Sequence, residues 1–131
     1  MSTEPAKLPA KILLVEDDAQ SAKVVLLTIE RAGLSAIHVD SGTRAIEYLD
    51  SEKPDIIVLD LSLPQINGWQ VLDHAQSKYG ANSIKVIVTT ARTDAANQIV
   101  GKLRFVTKYL IKPYEPDQLT AALKNILGNE E

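Results

Sequence analysis

Five short apolar runs rich in Ile, Val and Leu punctuate the chain: Ile12–Val15, Leu34–Val39, Asp55–Leu59, Ile84–Thr89 and Val106–Ile111. Unbroken runs of this length fit strands buried on both faces of a parallel sheet. Between them the spacing turns helical. Ala22, Val25, Leu26 and Ile29 recur at i, i+3, i+4 and i+7, as do Leu119, Ala122, Leu123 and Ile126. Weaker versions occur around Ala45–Leu49, Val71–Ala75 and Ile99–Leu103. Strand and helix therefore alternate five times, which predicts an α/β fold with a parallel sheet, right-handed crossovers and helices on both faces. Five units are too few to close an eight-stranded barrel, so the sheet is expected to be open and doubly wound.

Length and composition narrow the function. The 131 residues make one domain: a flexible lead-in over residues 1–10, the folded domain over 11–128 and a short tail over 129–131. Fourteen basic and 17 acidic residues leave a net charge of −3, so there is no basic field to hold nucleic acid directly. The absence of cysteine excludes disulfides, thiolate metal sites and thiol nucleophiles, and fits a reducing compartment. No apolar run approaches the ~20 residues of a membrane span and no apolar signal segment opens the chain. The expectation is a soluble, cytoplasmic protein without a membrane partner.

In a doubly wound sheet, ligands bind outside the carboxyl ends of the strands. The polar residues that end the apolar runs are Glu16, Asp17 and Asp18; Asp40 and Ser41; Asp60; Thr89 and Thr90; and Lys112. Clustered carboxylates repel one another by roughly 4 kcal/mol per pair at about 4 Å and an effective dielectric near 20. A hard cation relieves that repulsion, Mg²⁺ before Ca²⁺ or Mn²⁺. Lys112 and Thr90 suit phosphoryl oxygens, and a carboxylate can attack phosphorus to give an acyl phosphate. Asp60 is the choice for that nucleophile because it ends the most continuously apolar strand. Each residue also has an ordinary reading: Asp17 and Asp18 as helix caps, Asp60 as a turn former, Thr89 and Thr90 as β-formers, Lys112 as a solvated charge. Convergence of four strand ends on one phosphate and metal chemistry favours the functional reading.

The stretches Ile12-Leu-Leu-Val-Glu-Asp17, Pro54-Asp-Ile-Ile-Val-Leu-Asp60-Leu-Ser-Leu-Pro64, Asn67-Gly68, Val88-Thr-Thr90-Ala91 and Tyr109-Leu-Ile-Lys112-Pro113-Tyr114 together resemble the receiver domain of bacterial two-component response regulators. The resemblance covers about Lys11 to Leu127 and implies a flavodoxin-like fold with strand order 2-1-3-4-5 and five helices. Carried across by position, Asp60 resembles the phosphoacceptor, Asp17 the direct Mg²⁺ ligand and Glu16 its companion acid acting through water. Asp60 and the Ser62 backbone carbonyl would complete the metal ligands. Thr90 resembles the switch hydroxyl, Lys112 the lysine that pairs with the phosphoryl group, and Tyr109 the aromatic that turns inward with Thr90. Ser62 and Arg92 occupy positions that tune phosphate lifetime, and a cis Lys112–Pro113 bond is expected. The implied partners are a sensor histidine kinase or phosphotransfer protein and an unknown downstream protein, read out on the face of the fourth helix, fifth strand and fifth helix, where a homodimer could also form. The only catalysis implied is the domain's own phosphotransfer and dephosphorylation.

Departures from the family pattern are few. Leu103-Arg104-Phe105-Val106-Thr107 stands where Gly-Ala is usual, with Gly101 earlier, and Leu63 replaces the more usual Met. The first departure leaves open a constitutive interaction module that keeps the fold without switching. Trp69 is expected to pack on the adjacent loop, His38 and His74 to lie off the active edge, and Gly42 and Gly80 to serve as loop or cap residues. The chain ends soon after the fifth helix, which leaves a stand-alone receiver or a piece of a larger regulator.

Overall fold

The computed structural model describes residues 10–63, 65–91 and 106–128. Its elements run β1 (Ile12–Val15), α1 (Ala19–Arg31), β2 (Ala36–Val39), α2 (Gly42–Ser51), β3 (Ile56–Asp60), α3 (Gly68–Tyr79), β4 (Lys85–Ala91), β5 (Lys108–Lys112) and α4 (Pro116–Gly128). The five strands form one parallel sheet in the order β2-β1-β3-β4-β5, the order the resemblance implied. Four helices lie among the described residues. The helix expected around Ile99–Leu103, the lead-in before Ala10 and the tail over 129–131 fall outside them.

Strand alternation splits the core into two layers. Leu13, Val15, Ile57, Leu59, Val86 and Val88 face α2 and α3 with Leu49, Val71 and Leu72. Ile12, Leu14, Ile56, Val58, Ile87 and Leu110 face α1 and α4 with Ile29, Leu119 and Leu123. Each fully buried Leu, Ile or Val stabilises by about 1.5–3 kcal/mol relative to exposure. Burial on both faces holds for β1 and β3, every residue of which is buried. It fails at β2, whose Ile37 is 53% exposed, because β2 is an edge of the sheet with a neighbour on one side only.

Local chemistry sets the boundaries. β1 spans the expected Ile12–Val15, while the later strands start one or two residues after their apolar runs; Leu34 belongs to the turn that closes α1, its amide donating to the Ile29 carbonyl. At the other end β3 takes in Asp60 and β4 runs through Ala91, because Asp60 pairs with Thr89, Thr90 with Ile111 and Ala91 with Lys112. Asp18, Ser41 and Asn67 cap α1, α2 and α3, each side chain accepting from the backbone amide three residues on. Asn67 and Gln70 form a reciprocal capping box. Gly80 caps α3 as expected, at φ +94°. Gly42 is not a loop residue but the first residue of α2, where a Cβ would run into the Ile66 carbonyl oxygen. No helix among the described residues is long and apolar enough to cross a membrane.

Candidate functional site

Alternation along the strands explains which polar residues meet. Glu16 follows β1 on the face of Leu14, Asp60 ends β3 on the face of Val58, and Lys112 ends β5 on the face of Leu110; those three apolar residues share one core layer. The three polar side chains therefore project from one face of the sheet at its carboxyl edge. Lys112 reaches across β4, its Nζ lying 3.3 Å from Asp60 Oδ2 and 3.5 Å from Glu16 Oε1. Asp60 and Glu16 are 3% and 4% exposed. The remaining carboxylate oxygens are held by the backbone. The Ser62 amide donates to Asp60 Oδ1 at 2.9 Å, and the Asp18 amide to Glu16 Oε2 at 3.1 Å. Gly68 permits this packing, since a Cβ there would come within 2.8 Å of the Asp60 carbonyl oxygen.

Charge at the site is unbalanced. Oxygens of Glu16, Asp17 and Asp60 lie within 4.8 Å of one another, three carboxylates against one ammonium. Burial pushes the Glu16 carboxyl above its ordinary range, and Asp60 adds to the rise, while the Asp18 amide and Lys112 oppose it. Burial works against the Lys112 ammonium, but Asp60 and Glu16 outweigh it and hold its pKa above the usual lysine value. The Tyr114 hydroxyl, half-buried near Glu16 and Asp60, is pushed up to about 12, mainly by burial. An all-oxygen donor set with surplus negative charge fits a hard divalent cation, and Glu16, Asp17 and Asp60 are the residues that could hold one.

The model of the response regulator receiver domain matches residues 12–124. The chain belongs to this family. Among curated relatives, the receiver is 30% identical over 92% of its length to the Bacillus subtilis alkaline phosphatase synthesis transcriptional regulatory protein PhoP, covering 50% of that protein. It is 29% identical over 89% of its length to the Escherichia coli phosphate regulon transcriptional regulatory protein PhoB, covering 51% of it. The chain thus spans about half the length of the curated relatives it matches. A CheY-like receiver domain from Methanospirillum hungatei shares its fold with a TM-score of 0.84, at 20% identity over 93% of this chain and 96% of that one.

The remaining receiver positions divide by layer. Thr90 is fully buried and falls on the opposite face of the sheet from Asp60 and Thr89, with Val88. Tyr109, the register partner of Val88, packs half-buried in the same layer. The Lys112–Pro113 bond is cis. Asp17 is exposed beside its two buried partners, and Asp18 caps α1 rather than joining them. Trp69 packs half-buried against the core. His74 pairs with Asp50 at 2.8 Å between α2 and α3, away from the carboxyl edge. His38 corrects the expectation: its ring reaches the site's backbone, with Nε2 2.8 Å from the Glu16 carbonyl oxygen. The signal lay in register, since His38 pairs with Leu14, two residues before Glu16. Arg92, Pro64, Gly101 and Leu103–Phe105 lie outside the described residues.

Proposed function

We propose that this receiver is a phosphorylation-dependent signalling switch that takes a phosphoryl group from a phosphohistidine of a sensor kinase or phosphotransfer protein onto Asp60. The observation that carries this reading is the buried Asp60 carboxylate, held by the Ser62 amide at 2.9 Å and faced by Lys112 at 3.3 Å. An Asp60 oxygen attacks phosphorus. The new P–O bond forms as the P–N bond to the donor breaks, and the electron pair leaves with the imidazole. Lys112 then turns its charge from the carboxylates to the phosphoryl oxygens. Asp17, Asp60 and the Ser62 carbonyl would hold Mg²⁺, with Glu16 acting through water; bound there, the ion neutralises charge on the transferring group.

An open groove of about 240 Å³ beside Lys112, lined by Val24, Val25, Thr28, Pro113, Tyr114 and Leu119, supports approach of the donor over α1. Val24 is 57% exposed there. After transfer, the Thr90 hydroxyl donates to a phosphoryl oxygen around the carboxyl edge of the sheet and Tyr109, in the layer of Thr90, turns inward, biasing a two-state equilibrium read by a downstream protein or a second copy at β5 and α4. Water resets the switch, and Ser62 and Arg92 set the lifetime; equal dephosphorylation rates in wild type and Arg92→Ala would remove Arg92 from that role. No other substrate is transformed, and a cytoplasmic location goes with a kinase partner. PhoP and PhoB are transcriptional regulatory proteins by name; this chain, at net charge −3, would act on nucleic acid only through an effector.

The test is intact mass after incubation with Mg²⁺ and a small-molecule phosphodonor. Wild type is expected to gain one phosphoryl group and Asp60→Asn none. No adduct on wild type, with rapid hydrolysis excluded by a stable phosphoryl mimic, would favour a constitutive interaction module. That reading rests on the Arg104–Thr107 segment, of which Arg104 and Phe105 lie outside the described residues.

A further inference from the structure

The first two acids of the site leave β1 just as its neighbour leaves the sheet. β1 ends at Val15 and β2 at Val39, and the two residues pair. The Glu16 amide still donates to the Val39 carbonyl at 3.1 Å. Its carbonyl points to the same side and in a continuing parallel ladder would accept from the backbone two residues past Val39. That residue is Ser41, already the N-cap of α2. The donor comes from a side chain instead: His38 Nε2 lies 2.8 Å from the Glu16 carbonyl oxygen. A carbonyl oxygen only accepts, so Nε2 carries the hydrogen.

We propose that His38 is a positioning residue for the acidic site, its bond to the Glu16 carbonyl fixing the peptide unit that joins Glu16 to Asp17 and so aiming both carboxylates. The Glu16 carbonyl and the Asp17 nitrogen belong to one planar peptide group, and a hydrogen bond that stops its rotation sets the direction in which both Cα–Cβ bonds leave. The Val39 bond fixes the preceding plane, so Glu16 is held on both sides although it lies beyond the strand. With its backbone fixed, the Glu16 side chain meets the Asp18 amide at 3.1 Å and Lys112 at 3.5 Å. Without His38 only the first plane stays held.

The consequence for cation affinity rests on the metal site proposed above. The matched variants are His38→Gln and His38→Met, side chains of similar length of which only Gln can donate. We expect Mg²⁺, titrated by amide chemical shifts, to bind His38→Met about tenfold more weakly than wild type, at the low end of the effect of removing an outer-shell partner. His38→Gln should recover most of the difference, while the two variants share one melting temperature. Equal Mg²⁺ affinity in Met and Gln variants would overturn the proposal. Absence of Mg²⁺ binding to wild type would instead overturn the metal reading. A second readout needs neither metal nor variant: the ring nitrogen spectrum of metal-free wild type should show a hydrogen on Nε2. A neutral ring protonated only at Nδ1 would contradict the bond.

Discussion

At the amino ends of the strands, Lys11 faces Glu52 at 4.0 Å with both side chains more than half exposed (57% and 51%), while at the carboxyl ends Lys112 lies 3.3 and 3.5 Å from carboxylates only 4% and 5% exposed. The same residue types meet on the same sheet. At the amino edge one cation meets one anion in water, and the Lys11 amide donates to Asp55 as well; such exposed pairs contribute about 0–1 kcal/mol. At the carboxyl edge two buried carboxylates and the exposed Asp17 crowd one half-buried ammonium. Taking such charge out of water costs several kcal/mol per ion, which offsets the attraction within the cluster. On the function proposed above, this is the edge where a cation relieves the imbalance and Asp60 accepts a phosphoryl group.

Substitution of the two lysines should separate the ends most widely. Lys112→Met is expected to slow phosphoryl transfer from a small-molecule donor by roughly 10²–10³-fold, the usual loss on removing one preorganised charge from a transition state. Lys11→Met should leave the rate within about twofold. Comparable slowing in both, measured by intact mass against time, would mean that Lys112 acts through stability alone.

Mg²⁺ provides the next contrast. At about one hundred times its dissociation constant, binding to the native state adds roughly 2.7 kcal/mol of unfolding free energy. Asp17→Asn should abolish most of that gain in a chemical denaturation series, and Glu52→Gln none of it. A gain that survives Asp17→Asn would place the ion elsewhere.

Two tyrosines, one near each end, refine the comparison at high pH. Tyr114 and Tyr48 are both pushed up to about 12, mainly by burial; Glu16 and Asp60 add to the rise at Tyr114, and Glu52 at Tyr48. With the folded pKa above the ordinary value of 10.0, the native state holds more protons than the unfolded one between pH 10 and about 12. Stability present below pH 10 is therefore lost as pH rises through that window. Tyr114→Phe should remove about 2 kcal/mol of the loss. Tyr48→Phe, after discount for solvent screening, should remove less than about 1. The reverse order in alkaline denaturation would contradict the burial assigned to Tyr114.

The smallest expected effect belongs to the amino-edge pair itself. Lys11→Ala should change unfolding free energy by less than about 0.5 kcal/mol, as for exposed pairs generally.

The comparison also separates what the chain announces from what only folding reveals. The apolar runs around Leu14, Val58 and Ile87 were legible as strands because burial on both faces leaves an uninterrupted Ile, Val and Leu signature. The meeting of Glu16, Asp60 and Lys112 at one edge was legible because strand ends in such a sheet converge. The burial of β2 is not legible, since an apolar run does not say whether its strand lies at an edge, where Ile37 is 53% exposed. Gly42 was misread because its constraint is the Ile66 backbone, distant in sequence. His38 was placed off the site because its contact depends on where two strands end together, which no local periodicity records.

Phosphoryl transfer to Asp60 is tested by locating the phosphoryl group chemically. After treatment with phosphodonor and Mg²⁺, borohydride converts an acyl-phosphorylated aspartate to homoserine, and peptide mass spectrometry finds the altered position. Modification is expected at position 60 alone, dependent on Mg²⁺ and strongly reduced in Lys112→Met. Modification at Asp17 or at another acid, or none at position 60 under conditions where Mg²⁺ binds, would contradict it.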